Sequence, residues 1–293
     1  MKSIRSVNKI ATGKPTVDGA GVHLVRVIGY HDVRDFDPFL MLDAFDSTDP
    51  EDYIKGFPWH PHRGIETVTY LVEGEIRHGD SLGNEGVILD GDAQWMTAGS
   101  GILHQEMPQP ANRMFGVQLW LNLPAREKMT DPQYGDILAD QVPLDRQDGA
   151  VVRIVAGPYK GQPGAFEGRH VKAVFLDVSL DAGAVWDYDC DPDATLFFYV
   201  MQGNGRTGSH GEIDVARRQA VLTGPGEQVH IEAGADGMRL LLFCAPPLGE
   251  PIAWGGPIVM NTEQELAQAF RELDEGTFIL TGATTGSEDQ PSA

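Results

Sequence analysis

Tyr70-Leu71-Val72-Glu73-Gly74 can be laid over Tyr199-Val200-Met201-Gln202-Gly203 at an offset of 129 residues. Each is an apolar, partly β-branched run closed by glycine, which reads as a strand ending in a glycine turn. At a slightly shorter offset Gly99-Ser100-Gly101 falls on Gly224-Pro225-Gly226. Self-similarity over this length predicts two copies of one β-domain in a single chain. The polar stretch Gln141–Gly149 is the natural boundary, giving an amino-terminal domain over 1–140, a carboxy-terminal domain over 150–283 and a disordered polar tail over 284–293.

Outward from these runs, period-2 alternation broken by Gly, Asp, Asn and Pro predicts further strands. The clear ones are Gly21–Val27, Thr67–Leu71, Arg113–Leu121, Val171–Val178, Leu196–Met201 and Met238–Phe243. One helix is signalled. Thr262 and Glu265 form a capping box, Leu266, Ala269, Phe270 and Leu273 follow at helical spacing, and Gly276 is placed to end it. The fold class is therefore all-β with a C-terminal helix.

The 293 residues suffice for two domains with real cores, and 35 Gly with 19 Pro suit many short strands and tight turns. A hydrophobic content of 41% excludes a disordered chain, and a net charge of −21 argues against binding nucleic acid or an anionic membrane surface. Two cysteines, Cys190 and Cys244, cannot make a disulfide framework, so a reducing compartment is expected. The amino terminus lacks the apolar stretch of a signal peptide, and the longest apolar run, Leu240–Ala245, is far too short to span a bilayer. A cytoplasmic monomer is the expectation.

Chemistry concentrates in two places, His60-Pro61-His62 and His104-Gln105-Glu106. On extended chain, residues i and i+2 project to one face, so two such pairs on facing strands would converge as three imidazoles and a carboxylate. That donor set suits iron, manganese, nickel, copper or zinc and leaves coordination positions open.

The run His60-Pro61-His62-Arg63-Gly64-Ile65-Glu66-Thr67, with Gln94-Trp95-Met96-Thr97-Ala98-Gly99-Ser100-Gly101-Ile102-Leu103-His104-Gln105-Glu106-Met107-Pro108, closely resembles the pirin family of the cupin superfamily. Asp37-Pro38-Phe39-Leu40-Met41-Leu42-Asp43 and Gly255-Gly256-Pro257-Ile258-Val259-Met260-Asn261-Thr262 are similar to the same family, so the likeness spans all but the tail. The resemblance implies a bicupin: two cupin (double-stranded β-helix, jelly-roll-like) barrels, with one mononuclear metal, usually Fe(II), in the first. The ligands it implies are His60, His62, His104 and Glu106. The general cupin pattern would take its carboxylate from Glu66, which the pirin arrangement leaves as a structural residue.

Two functions follow from the resemblance. One is a quercetin 2,3-dioxygenase, opening a flavonol-like aromatic substrate with O2 and releasing CO, with Glu106 as both ligand and catalytic base. The other is a non-enzymatic, redox-sensing regulator that binds a transcription factor or metabolic enzyme. Trp59, Trp95, Met96, Met107, Met114 and Phe115 flank the ligands and could line an aromatic-binding cavity or be plain core.

The second copy is expected to be metal-free. Asp189 and Asp191 stand at the positions of His60 and His62, Val229 stands at that of His104, and His230 is one residue out of phase and so faces the other way. Asp187, Asp189 and Asp191 open like a calcium loop, but Pro192 replaces its glycine and Phe198 its glutamate. Gly79–Gly83 matches a nucleophile elbow and Gly203–Gly208 a dinucleotide fingerprint; both are expected to be hairpins, since neither is followed by a helix.

Overall fold

The structure is a computed structural model and describes residues 2–280; the expected tail over 284–293 lies outside them. Its contacts divide into two units. One comprises Pro15–Arg26, Phe39–Ala139 and the segment from Gly249 onward; the other comprises Met1–Lys14, Val27–Pro38 and Asp140–Leu248. This corrects the domain bounds expected above. The first strand, Val7–Thr12, pairs with Gln219–Thr223 and belongs to the second copy, while the C-terminal helix belongs to the first. Strand pairing is a long-range choice, and a single cut in the sequence cannot express it.

In the first copy a seven-stranded antiparallel sheet runs, edge to edge, Gln133–Ile137, Ala93–Thr97, Ile65–Glu73, Met114–Asn122, Phe39–Ser47, Val22–Ile28 and Lys14–Asp18. A four-stranded sheet accompanies it, in the order Phe57–His62, Ile102–Pro108, Ile76–Asp80, Glu85–Ile88. The second copy repeats this plan. Its order is Val7–Thr12, Gln219–Thr223, Thr195–Thr207, Gln228–Ala245, Val174–Leu180, Ala150–Ala156 and Leu144–Gln147, with Val185–Asp189 and Ile213–Ala216 on the free stretches of the two long strands. Strand for strand this is the same two-sheet cupin sandwich.

The copies differ where a long strand bends. In the first, Gly74 (φ +128°) ends the strand begun at Ile65. In the second the strand runs on through Gly203 (φ +75°) to Thr207, with a register irregularity between Gly203 and Gly205. The expected turn there is thus a bend within a paired strand. A Cβ at Gly203 would lie 2.1 Å from the Gly237 carbonyl oxygen, so only glycine lets the backbones approach.

The core of the second copy includes Val152, Ile154, Leu176, Val178, Leu196, Phe198, Leu240 and Leu242. Phe197, Tyr199, Leu241 and Phe243 alternate with these and are equally buried on the opposite face, where the Phe197 ring meets Phe36 and Phe243 at 5.2 and 4.9 Å. Strands buried on both faces read as continuous apolar runs, which is why Leu240–Ala245 is the longest apolar run of the sequence. Among the described residues no helix is long and apolar enough to cross a membrane. The helix Glu263–Asp274 carries the expected reciprocal Thr262–Glu265 capping box.

Neither motif opens a helix: Gly79–Gly83 lies in the hairpin that turns at 80–84 between Ile76–Asp80 and Glu85–Ile88, and Gly203–Gly208 runs along the end of Thr195–Thr207 into the hairpin that joins it to Ile213–Ala216. Asp187 and Asp189 face outward and are engaged by His230 and by Lys2 and Gln228. The correspondence of Asp189 and Asp191 with the histidine positions also needs correction. Val229 faces Tyr188 across the strands as His104 faces His60, so Tyr188 and Cys190 occupy the imidazole positions. A single residue inserted in the intervening turn moves the whole set to the other face.

Candidate metal centre

Strand Phe57–His62 lies antiparallel to Ile102–Pro108 with His60 directly opposite His104. Cross-strand neighbours on one face of a sheet have Cβ atoms about 5 Å apart, and His62 joins them because it is two residues from His60. The ring centroids of His60, His62 and His104 are 4.3–5.0 Å apart, and one nitrogen from each falls within a 4.8 Å group.

The outer nitrogens fix the tautomers. His60 Nδ1–H donates to the Pro58 carbonyl at 2.8 Å and His62 Nδ1–H donates to the Pro257 carbonyl at 2.9 Å. A carbonyl only accepts, so in each neutral ring Nε2 carries a lone pair. The two Nε2 atoms stand 3.1 Å apart. Two lone pairs at that distance repel unless a cation sits before them. Burial, reinforced by the neighbouring His60, holds His62 down to about 3 and His104 well below the usual imidazole value, so both remain neutral, ligand-ready bases at physiological pH. Both His104 nitrogens are buried without a hydrogen-bond partner. Orphaned buried donors and acceptors are rare and costly, and a metal ion held by these nitrogens would resolve this one.

Glu106 stands outside this close set. A register shift between His104 and Glu106 carries it away from His60, and its carboxylate accepts from Thr69 Oγ1 at 2.6 Å and Gln118 Nε2 at 3.3 Å. Glu66 is buried and accepts from Thr97 Oγ1 at 2.9 Å, also outside the set.

Sequence reasoning left out several residues around the site, and Thr69 and Gln118 carry no signal that singles them out. Thr69 and Gln118 face each other on adjacent strands of the larger sheet. His78 lies opposite Glu106, its ring 5.4 Å from His104 and 4.9 Å from Tyr134, and Asp80 lies opposite His104. His78-Gly79-Asp80 is itself an i, i+2 pair, which is the signal that could have found it. Asp80 is held below its ordinary value, because the contact with His78 and the N–H groups of Asn84 and Leu82 outweigh its burial. Of the flanking apolar residues, Trp95, Met96, Met114 and Phe115 are buried core, while Trp59 and Met107 are only half-buried. On the other flank, Trp120 packs edge-on to His62 at 4.8 Å and lies 5.9 Å from Trp254.

Arg63 and Lys128 tie the ligand strand to the carboxy-terminal segment. Arg63 donates to Ser100 O, Phe278 O and Glu272, and Lys128 Nζ donates to Gly64 O, Val259 O and Asn122 Oδ1. That segment supplies the Pro257 carbonyl that orients His62.

Comparison with known proteins finds matches along most of the chain. The family model described as Pirin matches residues 21–121, and the one described as Pirin C-terminal cupin domain matches residues 175–279. A pirin-like protein of Caulobacter vibrioides is 46% identical over 278 residues, covering 94% of this chain and 99% of the relative. Human pirin is 36% identical over 283 residues, covering 94% and 96% respectively. The crystal structure of a quercetin 2,3-dioxygenase from Acinetobacter baumannii superposes with a TM-score of 0.86 at 29% identity, covering 94% of this chain and 99% of that one.

Proposed function

Because the chain belongs to the pirin family, we propose that it is a metal-dependent flavonol dioxygenase acting on quercetin-like substrates. His60, His62 and His104 hold one divalent transition metal, Fe(II) being the natural occupant, and Glu106 is the fourth donor and the proton acceptor. The observation that carries this reading is the pair of facing Nε2 lone pairs beside the partnerless His104 ring. When bound, the metal supplies Lewis-acid polarisation of a substrate oxygen and open positions for O2.

The chain's own residues do the rest. Glu106, aimed by Thr69 and Gln118, is an oxygen base beside the metal ligands that can take the proton of an enol hydroxyl. The Pro58 and Pro257 carbonyls keep both Nδ1 atoms protonated, so the ligand nitrogens cannot rotate out of register. Trp120 and Trp254 offer aromatic surface beside His62 on which a planar polyphenol can stack. The similarity to a structure described as a quercetin 2,3-dioxygenase supports this choice of substrate class.

The test is aerobic incubation of the Fe(II)-loaded protein with quercetin. Loss of the flavonol's visible absorbance with release of carbon monoxide is expected. A metal-replete protein that leaves quercetin intact would eliminate the oxygenase and favour the partner-binding regulator.

A further inference from the structure

Two carbonyl oxygens, those of Gly64 and Val259, accept from one buried amine beside the ligand strand, that of Lys128. We propose that Lys128 is the positioning residue for the ligand His62, a role that presupposes the metal centre proposed above: its ammonium draws the two carbonyls together and so sets the Pro257 carbonyl against the His62 ring.

Lys128 closes the one-turn 3-10 helix Ala125–Glu127, with its N–H bonded to the Ala125 carbonyl, and its side chain runs inward until the residue is 2% exposed. Nζ donates to Gly64 O and Val259 O, each at 2.8 Å, and to Asn122 Oδ1. An ammonium has three N–H groups, and these are three acceptors, all uncharged. A neutral amine could serve only two of them, so the contacts favour the ammonium even though burial draws its pKa down to about 7. Lysine is almost never this buried without an anion against it, because taking a charge out of water is costly.

What that cost sustains is visible in the two stretches the amine joins. Gly64 lies two residues after His62, and Val259 lies two after Pro257. The stretches run side by side: His62 Nδ1–H donates to Pro257 O at 2.9 Å, Val259 N–H donates to Arg63 O at 3.1 Å, and Arg63 pairs with Ile258 in a parallel bridge. Lys128 ties off the far end. There is no slack, since a Cβ on Gly64 would lie 2.0 Å from Val259 O and 3.0 Å from Lys128 Cδ. Two carbonyl dipoles aimed at one point repel unless a cation stands between them. Without the ammonium the Val259 stretch recedes and takes the Pro257 carbonyl with it. His62 then loses the acceptor that keeps its Nδ1 protonated and its Nε2 free for the metal.

The experiment uses the full-length protein and Zn(II), a diamagnetic probe that imidazole and carboxylate donors accept. Wild type should bind one Zn(II) per chain, and binding should slow hydrogen exchange at the Val259 amide, because metal and clasp stabilise each other reciprocally. Lys128→Met keeps the apolar stem and removes the charge. Its Zn(II) affinity should fall about tenfold, the lower end of what losing an outer partner of a metal ligand costs, and Zn(II) should no longer slow exchange at Val259. Leu242→Ala, in the core of the second copy, lowers stability without touching the clasp and should keep wild-type affinity. A folded Lys128→Met with wild-type affinity, an equal affinity loss in Leu242→Ala, or a wild type that binds Zn(II) with no change at Val259 overturns the assignment to Lys128 and leaves the metal centre standing. The last of these needs only the wild type, should Lys128→Met fold poorly. A wild type that binds no Zn(II) overturns the metal centre itself, and the role of Lys128 with it.

Discussion

Replacing His104 with leucine separates a metal ligand from a structural histidine, because the two roles predict opposite signs for the stability of the metal-free protein. His104 is 1% exposed and neither of its ring nitrogens has a hydrogen-bond partner. A buried polar group left unsatisfied costs about 1–3 kcal/mol, and this ring carries one donor and one acceptor. Leucine has nearly the same volume and no polar atom; imperfect repacking against His60 and His62 gives back about 1 kcal/mol. Metal-free His104→Leu should therefore be more stable than metal-free wild type by about 1–5 kcal/mol, a rise in Tm of about 2–20 °C at the 2–4 °C per kcal/mol usual for this size. His62→Leu is the control, because it removes the donor to the Pro257 carbonyl and should not stabilise. The assay is thermal denaturation in chelator, beside metal content by mass spectrometry after reloading. Wild type should gain Tm on reloading and His104→Leu should not. A metal-free His104→Leu that melts below wild type, or one that still binds one metal per chain, refutes the reasoning.

Three further outcomes are expected. Glu106→Gln keeps the shape but cannot accept the substrate proton at neutral pH, so flavonol turnover should fall about 10²- to 10⁴-fold in a metal-replete sample; unchanged turnover would remove Glu106 as the base. Thr69→Val removes the 2.6 Å donor to Glu106 with little change in volume, and losing a bond to a charged group is worth about 1.5–3 kcal/mol, so kcat should drop about tenfold or more while metal content holds. Gly64→Ala, two residues after His62, forces a side chain onto φ +77° and places a Cβ 2.0 Å from the Val259 carbonyl oxygen; a loss of about 2–4 kcal/mol with weakened metal retention should show in denaturation, and a change below 1 kcal/mol would mean the loop yields freely.

The legible parts of this protein were those carried by local rules. The helix at Glu263–Asp274 begins at its capping box because Thr262 and Glu265 satisfy each other's amides within one turn. Alternation placed the strands, and the i, i+2 spacing placed His60, His62 and His104 on inward faces because successive side chains on a strand point opposite ways. His230 was read as out of phase with Val229 for the same reason, and it faces outward onto Asp187.

What escaped depended on register and on distance along the chain. Asp189 seemed to stand where His60 stands, yet one residue of phase puts Tyr188 and Cys190 there, and sequence alignment across a turn cannot count that residue. The Thr69–Gln118 cradle for Glu106 and the Pro257 carbonyl 195 positions from His62 are invisible locally. So is the placement of Val7–Thr12 on the second copy's sheet. Residue type and spacing alone determined which faces are apolar, where donors project and that two copies share one plan, since steric alternation and turn chemistry act over a few residues. Only the tertiary structure decided which strands pair and in which register, because that choice minimises buried apolar exposure and unpaired backbone over the whole sheet.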